Sequence, residues 1–385
     1  MTSKTNHFDL IIAGAGLAGL SLAYHISQKS ALRNKKILLV DRELKQKNDR
    51  TWSFWQKDTG IFDDLVCKEW GFVDFMSPTY TKILDIAPYS YKMIRGADFY
   101  AFMNDFIANN ANITTVYGEI TAMEQSNDTA SVCVNNEIYT ADYICSSINA
   151  TPPQQPNKQY ILQHFKGYVI HTPTPAFDIS RATLMDFSVA QHGDCRFVYV
   201  LPTDAHTAMV EYTVFSETLL ADDFYDAQLK DYIANTLKIK DYEIQHTEFG
   251  VIPMTDAVFP TQTGKRIFHV GTAGGNTRAS TGYTYTNIQK NCAAFAHHWA
   301  KNGTLKSYKT INNKRFAYYD SVFLSVLSGR SLPMRDVFSD LFKHNTPQRV
   351  LRFLDGDTNF ADELKIMSSV PILTFLPLAV RNLLK

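Results

Sequence analysis

Residues 8–20 read FDLIIAGAGLAGL. Their first half is a short apolar run rich in strand-forming residues, which predicts a buried parallel strand. Gly14, Gly16 and Gly19 follow in GxGxxG spacing, and apolar residues then recur at helical intervals. The glycines are therefore predicted to lie in a turn between a strand and a helix.

A second apolar run, residues 37–40, ends at Asp41, which lies 22 residues after Gly19. Together these features have the layout of a dinucleotide-binding βαβ unit. Gly14 permits the tight turn, Gly16 lets the backbone approach a pyrophosphate, and Gly19 lets the helix pack closely on the strand. The helix N-terminus offers free amides to the phosphates, and Asp41 would accept hydrogen bonds from the ribose hydroxyls.

Composition limits the class of protein. The chain of 385 residues is longer than one average domain. Its 38 Lys plus Arg balance 38 Asp plus Glu, so the protein has no net positive charge to attract nucleic acid. Five cysteines without CxxC spacing indicate reduced thiols in the cytosol. Residues 1–7 lack the apolar segment of a signal peptide, and no run of about 18 apolar residues predicts a transmembrane helix. We therefore expect a cytoplasmic protein without a membrane-spanning segment.

A second glycine-rich turn lies late in the chain. The strand-like residues 267–270 are followed by Gly271, Gly274 and Gly275, and a helix is predicted from about residue 281 to 300. A nucleotide domain that is interrupted and re-entered in this way is more typical of FAD than of NAD enzymes. The dipole of the late helix would then favour electron density on the flavin ring.

The expected fold class is α/β, with a Rossmann-type, flavin monooxygenase-like FAD-binding fold. Residues 1–150 and 260–300 are predicted to form a discontinuous FAD-binding domain. Residues 151–259 would form a mostly antiparallel substrate-binding sheet, and residues 301–385 a helical C-terminal region. The proline-rich segment 150–156 is the predicted crossover out of the nucleotide domain.

The candidate chemistry centres on one acidic residue. Glu211 lies in an otherwise uncharged strand, residues 208–215, on the face shared by Met209, Thr213 and Phe215. It is either a solvent-facing residue of a half-exposed strand or a buried carboxyl whose raised pKa makes it a proton donor near neutral pH. The eleven histidines are scattered, so no metal site is expected. No motif of a catalytic serine or cysteine nucleophile occurs either.

Two apolar stretches each allow two interpretations. The aromatic run at residues 51–55 fits a half-buried strand, but it could instead line the cofactor or substrate cavity. Residues 370–384 (VPILTFLPLAVRNLL) are unusually apolar for a C-terminus and too short to span a bilayer. They would either pack on the core or lie on a membrane surface.

Together these features resemble the flavin-dependent lycopene cyclases, particularly the bacterial lycopene β-cyclases. The resemblance runs over nearly the whole chain and rests on short motifs that occur in the family's order. They are GAGLAGL (14–20), TWSF (51–54), QHFKG (163–167), LMDF (184–187), FVYVLP (197–202), VEYT (210–213), GVIP (250–253), GTAGG (271–275), TGY (281–283) and RFLD (352–355). Each motif alone is weak, but their joint order is specific.

The resemblance implies an FAD-dependent isomerase of carotenoid biosynthesis that closes the ψ ends of lycopene to β-rings, giving γ-carotene and β-carotene. It implies reduced FAD, NAD(P)H as electron donor, no net redox change, and peripheral contact with the cytoplasmic face of the inner membrane. Glu211 would be the catalytic residue. The expected cofactor-binding residues are Gly14, Gly16, Gly19, Asp41, Gly271, Thr272, Gly274, Gly275 and Gly282. The expected substrate-lining residues are Trp52, Phe54, Tyr199 and Tyr283.

Two positions depart from the family's pattern. The acidic strand of the family often carries a second acid where this chain has Tyr212. Bacterial members commonly carry an acid after the late-turn glycine, where this chain has Thr272. The family's essential glutamate corresponds to Glu211 and is kept. Flavin affinity is therefore the property expected to differ, rather than the reaction.

Two other functions are compatible with the same features. A flavin monooxygenase or dehydrogenase acting on an apolar isoprenoid would share the nucleotide turn but consume oxygen or electrons stoichiometrically. A non-catalytic prenyl carrier would share the fold without a flavin, although the intact glycines and Asp41 argue against it. The sequence also leaves open whether one or both ends of lycopene are closed, and whether the flavin or Glu211 delivers the proton.

Overall fold

The structure is a computed structural model that describes residues 7–148, 155–311 and 313–383. Residues 150–154 of the predicted crossover lie outside the described residues.

The strands are β1 (His7–Ala13), β2 (Ile37–Asp41), β3 (Thr51–Gln56), β4 (Lys68–Trp70), β5 (Phe72–Met76), β6 (Thr81–Asp85), β7 (Ser90–Arg95), β8 (Ile113–Tyr117), β9 (Ile120–Gln125), β10 (Ala130–Val134), β11 (Glu137–Ser146), β12 (Tyr160–His171), β13 (Arg181–Asp186), β14 (Cys195–Pro202), β15 (Thr207–Ser216), β16 (Glu243–Thr255), β17 (Gln262–Thr263) and β18 (Ile267–His269). The helices are α1 (Leu17–Ser27), α2 (Gly96–Ala108), α3 (Asp222–Asp231), α4 (Tyr285–Asn302), α5 (Lys314–Ser328), α6 (Met334–His344), α7 (Pro347–Leu354), α8 (Phe360–Ser368) and α9 (Ile372–Leu383).

The first sheet contains the predicted βαβ unit, which is formed by β1, α1 and β2. Its strand order is β17–β18–β11–β1–β2–β8, and β18, β11, β1, β2 and β8 run parallel. β9 and β10 extend the sheet as antiparallel neighbours beside β11. The late strand β18 pairs with β11 and so belongs to the same sheet as β1 and β2.

Both faces of β1 are buried, as is usual for a parallel strand. On one face Leu10 and Ile12 pack with residues of α1 and α4. On the other face Ile11 and Ala13 pack with the buried residues of β10 and β11. Full burial of a large aliphatic side chain contributes roughly 1.5–3 kcal/mol. Burial on both faces therefore explains why β1 is a continuous apolar run rather than an alternating one.

The second sheet is mostly antiparallel. Its strand order is β16–β12–β15–β14–β13–β5–β6, with one parallel pair, β13 and β5. The predicted range 151–259 supplies β12 to β16, while β5 and β6 come from residues 72–85. The sheet predicted for substrate binding thus also contains strands from the N-terminal part of the chain.

Helices cover the two faces of the second sheet. On one face, Phe197 and Phe215 share a core with Leu324 of α5 and Phe338 of α6. The opposite face packs against α3 and carries Tyr212. Glu211 lies on the first of these faces because side chains alternate along a strand.

The small third sheet, β3–β7–β4, lies between the two large sheets and contributes side chains to the cores of both. Trp55 and Tyr91 pack in the core shared with the second sheet. Phe54 and Ile94 pack in the core of the first sheet. The aromatic run at residues 51–55 is thus a strand, and its alternating side chains enter two different cores.

Candidate active site

A cavity of about 510 Å³ lies where the two large sheets and β3 meet. Its wall includes Gly16 and Gly271 from the two glycine turns, Trp52 from β3, Glu211 from β15, and Tyr283. Residues that are far apart in the sequence therefore line one cavity. Its volume is within the range of small-molecule sites.

The first glycine turn is tightly packed except on its cavity side. Gly14 has a φ of +102°, and a Cβ there would lie 2.3 Å from the Ser147 Oγ. A Cβ on Gly19 would lie 1.9 Å from the carbonyl oxygen of Gly14. A Cβ on Gly16 would meet none of the described atoms within 4 Å. Gly14 and Gly19 are thus required by the turn itself, whereas Gly16 keeps open the cavity beside the start of α1.

Asp41 fixes this turn in place. Its Oδ2 accepts a hydrogen bond from the Ala15 amide at 2.6 Å. Its Oδ1 lies 3.7 Å from the Lys45 Nζ. The carboxylate therefore connects the end of β2 to the glycine turn, and contact with a ribose is a further role that stays a prediction.

The late glycine turn faces the first one. Gly271 has a φ of +65°, and a Cβ there would lie 2.8 Å from the Ala18 Cβ of α1. Gly271 and Thr272 line the cavity, and the Thr272 Oγ1 lies 3.0 Å from the Thr277 Oγ1. Gly274 packs behind the wall, where a Cβ would lie 2.2 Å from the His269 carbonyl oxygen.

The helix after the late turn begins later than predicted. It starts at Tyr285 rather than near residue 281. Gly282 has a φ of +72°, a left-handed conformation that a regular helix does not use. Gly282 lines the cavity beside Gln163, and Gly275, with a φ of +74°, ends the preceding short turn.

One row of polar residues crosses the second sheet. Glu211 on β15 pairs with Tyr199 on β14 and with Gly167 on β12. Gly167 also pairs with Glu248 on β16. Tyr199, Glu211 and Glu248 all line the cavity. Neighbouring strands lie about 4.8 Å apart, so the two glutamate backbones are separated by roughly 10 Å, with only a glycine between them.

Glu211 has the environment of a proton donor. Its Oε1 accepts a hydrogen bond from the Thr213 hydroxyl at 2.9 Å. Burial, and to a smaller extent the nearby Glu248 carboxylate, raises the pKa of Glu211 to about 8, although the Thr213 hydrogen bond opposes this shift. The Glu211 carboxyl is therefore mostly protonated at neutral pH.

Glu248 is a second acid that the sequence interpretation missed. Its side chain is buried, and its Oε1 accepts a hydrogen bond from the Thr51 amide at 3.0 Å. Burial is the main reason that the pKa of Glu248 is raised to about 7. The signal was its position two residues before Gly250 of the GVIP motif, on the same strand face.

Aromatic side chains line much of the cavity. The Tyr199 and Tyr283 hydroxyl oxygens lie 3.5 Å apart. Trp52 lines the wall and packs edge-on against Phe99 at 5.3 Å between ring centroids. Phe54, expected to line the same cavity, instead lies in the core of the first sheet and stacks on Tyr285 at 3.9 Å.

Tyr212, at the position where the family often carries a second acid, lies away from the cavity. Tyr212 is fully buried on the opposite sheet face, and its hydroxyl is 3.5 Å from the Arg196 Nη1. An acid at this position would therefore point towards α3 rather than towards Glu211. Glu248 supplies a second acid on the cavity side.

Two buried oxygens in the cavity wall are candidate ligand contacts. Gln163 Oε1 and Glu248 Oε2 are inaccessible to solvent and have no hydrogen-bond partner within the described residues. Buried acceptors are normally satisfied by a partner or by water. Together with the open side of Gly16, they fit a ligand with donor groups and a phosphate-bearing chain.

Neither a metal site nor a membrane span is found in the part of the chain that the structure describes. No three His, Cys, Asp or Glu side chains there are grouped to hold a metal ion. No helix there is both long enough and apolar enough to cross a bilayer.

Several solved structures share this fold. A geranylgeranyl bacteriochlorophyll reductase-like protein from Thermoplasma acidophilum has a TM-score of 0.67 and 14% identity, and covers 97% of this chain and 98% of its own. A flavoprotein/dehydrogenase from Cytophaga hutchinsonii has a TM-score of 0.59 and 12% identity, with coverages of 98% and 99%. The anhydrotetracycline hydroxylase OxyS from Streptomyces rimosus has a TM-score of 0.57 and 13% identity, with coverages of 91% and 75%. The predicted α/β, Rossmann-type flavoprotein fold is confirmed.

The sequence comparisons identify the family. Residues 9–379 match the family described as lycopene cyclase protein, so the chain belongs to that family. It is also 24% identical over 253 residues to the lycopene beta-cyclase of Pseudescherichia vulneris, a match that spans 64% of this chain and 62% of that protein. The family resemblance stated from the sequence is thereby confirmed.

Proposed function

We propose that this protein is a lycopene β-cyclase, an isomerase that closes the ψ ends of lycopene to β-rings without net redox change. The observation that carries the proposal is Glu211, a carboxyl with a pKa raised to about 8 in a cavity that also reaches both glycine turns. Membership of the lycopene cyclase family supports a carotenoid substrate.

FAD is the cofactor that we propose for the two glycine turns. The open side of Gly16 and the uncapped start of α1 would take its phosphates, and Gly271 and Thr272 would lie beside the rest of the cofactor. Asp41, which holds the first turn, would contact the ribose. When bound and kept reduced by NAD(P)H, FAD would supply negative charge near a developing cation.

The proposed reaction begins with a proton from Glu211. The protonated carboxyl donates to C2 of a ψ end, the C5–C6 double bond attacks C1, and the ring closes with the positive charge at C5. Loss of the C6 proton then restores a double bond and yields the β-ring. Trp52, Tyr199 and Tyr283 would stabilise the cation through their aromatic faces.

Contact with a membrane surface is part of the proposal, because the substrate is a hydrocarbon. Helix α9 exposes an apolar face formed by Ile372, Leu373, Leu376, Val380 and Leu383. Leu373 alone is 88% exposed. A helix with such a face can lie in the interfacial plane of a bilayer. We propose that α9 rests on the cytoplasmic leaflet of the inner membrane.

Pigment analysis in bacteria that accumulate lycopene tests the function. We expect conversion to β-carotene, which requires closure of both ends; accumulation of γ-carotene would show closure of one end. Unchanged lycopene in the presence of soluble, flavin-loaded protein would refute the cyclase. In purified form, stoichiometric NADPH oxidation per product would favour a flavin-dependent oxidoreductase instead.

A further inference from the structure

Glu248 has the features of a catalytic group, and the role proposed for Glu211 does not account for them. It is 4% exposed, yet it lines the cavity. Its Oε1 is fixed by the Thr51 amide, whereas its Oε2 has no hydrogen-bond partner among the residues the structure describes. A buried carboxyl with one anchored and one unpartnered oxygen is costly to keep unless a ligand or a reaction uses it.

The reaction needs a group that the proposed mechanism leaves unassigned. After ring closure the positive charge at C5 has three neighbouring carbons that bear hydrogens: C6, the other ring carbon, and the methyl carbon. Loss of a proton from each neighbour gives a different ring isomer. A base held in a fixed position beside C6 would make the β-ring the dominant product.

We infer that Glu248 is this base, which removes the C6 proton and thereby directs the reaction to the β-ring. The inference rests on the proposed function. The Glu248 carboxylate accepts the proton, and the electron pair of the C6–H bond becomes the C5–C6 double bond, which neutralises the cation. Between turnovers Glu248 releases this proton to solvent and Glu211 takes one up from solvent, so that atoms and electrons balance over one cycle.

The other polar groups of the wall fit this role less well. Asp49 lines the cavity but is exposed to solvent, and a base reached by water would also let water capture the cation. Tyr199 is a buried phenol and Tyr283 a half-buried one, and desolvation raises the pKa of Tyr283 to about 12. Burial also raises the pKa of Tyr199, so both stay neutral at physiological pH.

The titration of the two glutamates supports the division of roles. The pKa of Glu248 is raised to about 7 and that of Glu211 to about 8. Both pKa values are close to neutral pH, so one carboxyl can hold a proton while the other is ionised. Two carboxyls whose surroundings separate their pKa values are the usual arrangement of an acid and a base in one site.

The experiment compares ring isomers formed by Glu248→Gln, Glu248→Asp and wild type, each purified with FAD and supplied with lycopene in vesicles. Glu243→Gln, an exposed substitution on the same strand, is the control. We expect Glu248→Gln to form β-rings about 10²-fold more slowly and to release a larger fraction of the other ring isomers. Glu248→Asp should partly restore the β-ring.

Each outcome decides the assignment. If Glu248→Gln is folded and flavin-loaded and still makes only β-rings at the wild-type rate, Glu248 is not the base. If it makes no product, the run is repeated in D2O: deuterium in recovered lycopene supports the assignment, since a cation then formed, and its absence overturns the assignment. If wild type itself leaves lycopene unchanged, the proposed function fails first and the inference with it.

Discussion

Glu211 and Glu248 stand in the same row of the second sheet, because each pairs with Gly167 on the strand between them. Both side chains face the cavity that the two glycine turns also reach. The missing side chain at Gly167 leaves space between the two acids. This relationship joins carboxyls from two strands that are far apart in the sequence.

Gly167→Ala should lower activity with little loss of stability. The new Cβ would lie 3.0 Å from the Met209 Cε and 3.4 Å from the Glu211 Cβ. The methionine end is flexible and can move, so we expect the free energy of unfolding to change by less than about 1 kcal/mol. Displacement of the Glu211 carboxyl should slow cyclisation about tenfold or more. Gly71→Ala, where a Cβ has open space among the described atoms, is the matched control for both measurements.

Glu211→Gln should change how stability depends on pH. The pKa of Glu211 is about 8 in the folded protein against an ordinary value of 4.5, so the folded state holds the proton more tightly than the unfolded state does. Its stabilising contribution is complete below pH 4.5 and is lost as the pH rises to about 8. The variant should therefore gain stability relative to wild type across this range, by on the order of a few kcal/mol. Thermal unfolding at pH 5 and pH 8, with equal flavin content, measures the difference. A constant difference in Tm would contradict it.

Gly16→Ala and Gly19→Ala should fail in different ways. At Gly16 the added Cβ meets none of the described atoms within 4 Å and the φ is −81°, so the variant should fold normally but retain little FAD. At Gly19 the Cβ would lie 1.9 Å from a backbone oxygen, so the variant should lose roughly 1–3 kcal/mol of stability. Tm and the flavin absorbance of the purified proteins separate the two effects. Full flavin content in Gly16→Ala would contradict the proposed phosphate contact.

Charges on the exposed face of α9 should weaken membrane binding. Leu373→Glu and Leu376→Glu replace exposed side chains, so folding should be unaffected. Each charge removes apolar contact area and is repelled by anionic lipid, so binding to anionic vesicles should fall at least tenfold in a sedimentation assay. Ile138→Glu, at a site 66% exposed on the first sheet, is the control. Unchanged binding by the α9 variants would place the contact elsewhere.

The sequence predicted those parts of the site whose signals are local. The first glycine turn is recognisable because the glycine spacing, the apolar strand and Asp41 all lie within residues 8–41. Glu211 is recognisable because it is the one charge in an apolar strand. In both cases the residue pattern of a short segment is enough to indicate its environment.

Glu248 could not be predicted in the same way, because its burial is a tertiary effect. Its strand also carries Glu243, Gln245 and Thr247 at alternate positions, a polar pattern that is typical of a solvent-exposed strand. Glu248 becomes buried where Thr51 of β3 crosses the strand and donates its amide hydrogen. Phe54 shows the opposite error, because the sequence predicted a cavity-lining residue and the structure places it in a core. There it stacks on Tyr285, which is far away in the sequence.

The most direct test of the central claim is the incorporation of solvent hydrogen during cyclisation in D2O by wild type and Glu211→Gln. If Glu211 delivers the initiating proton, each β-ring made by wild type should carry one deuterium at C2 with no net NADPH oxidation. The folded, flavin-loaded Glu211→Gln should leave lycopene unchanged and undeuterated. Deuterated β-carotene formed at the wild-type rate by Glu211→Gln would contradict the account.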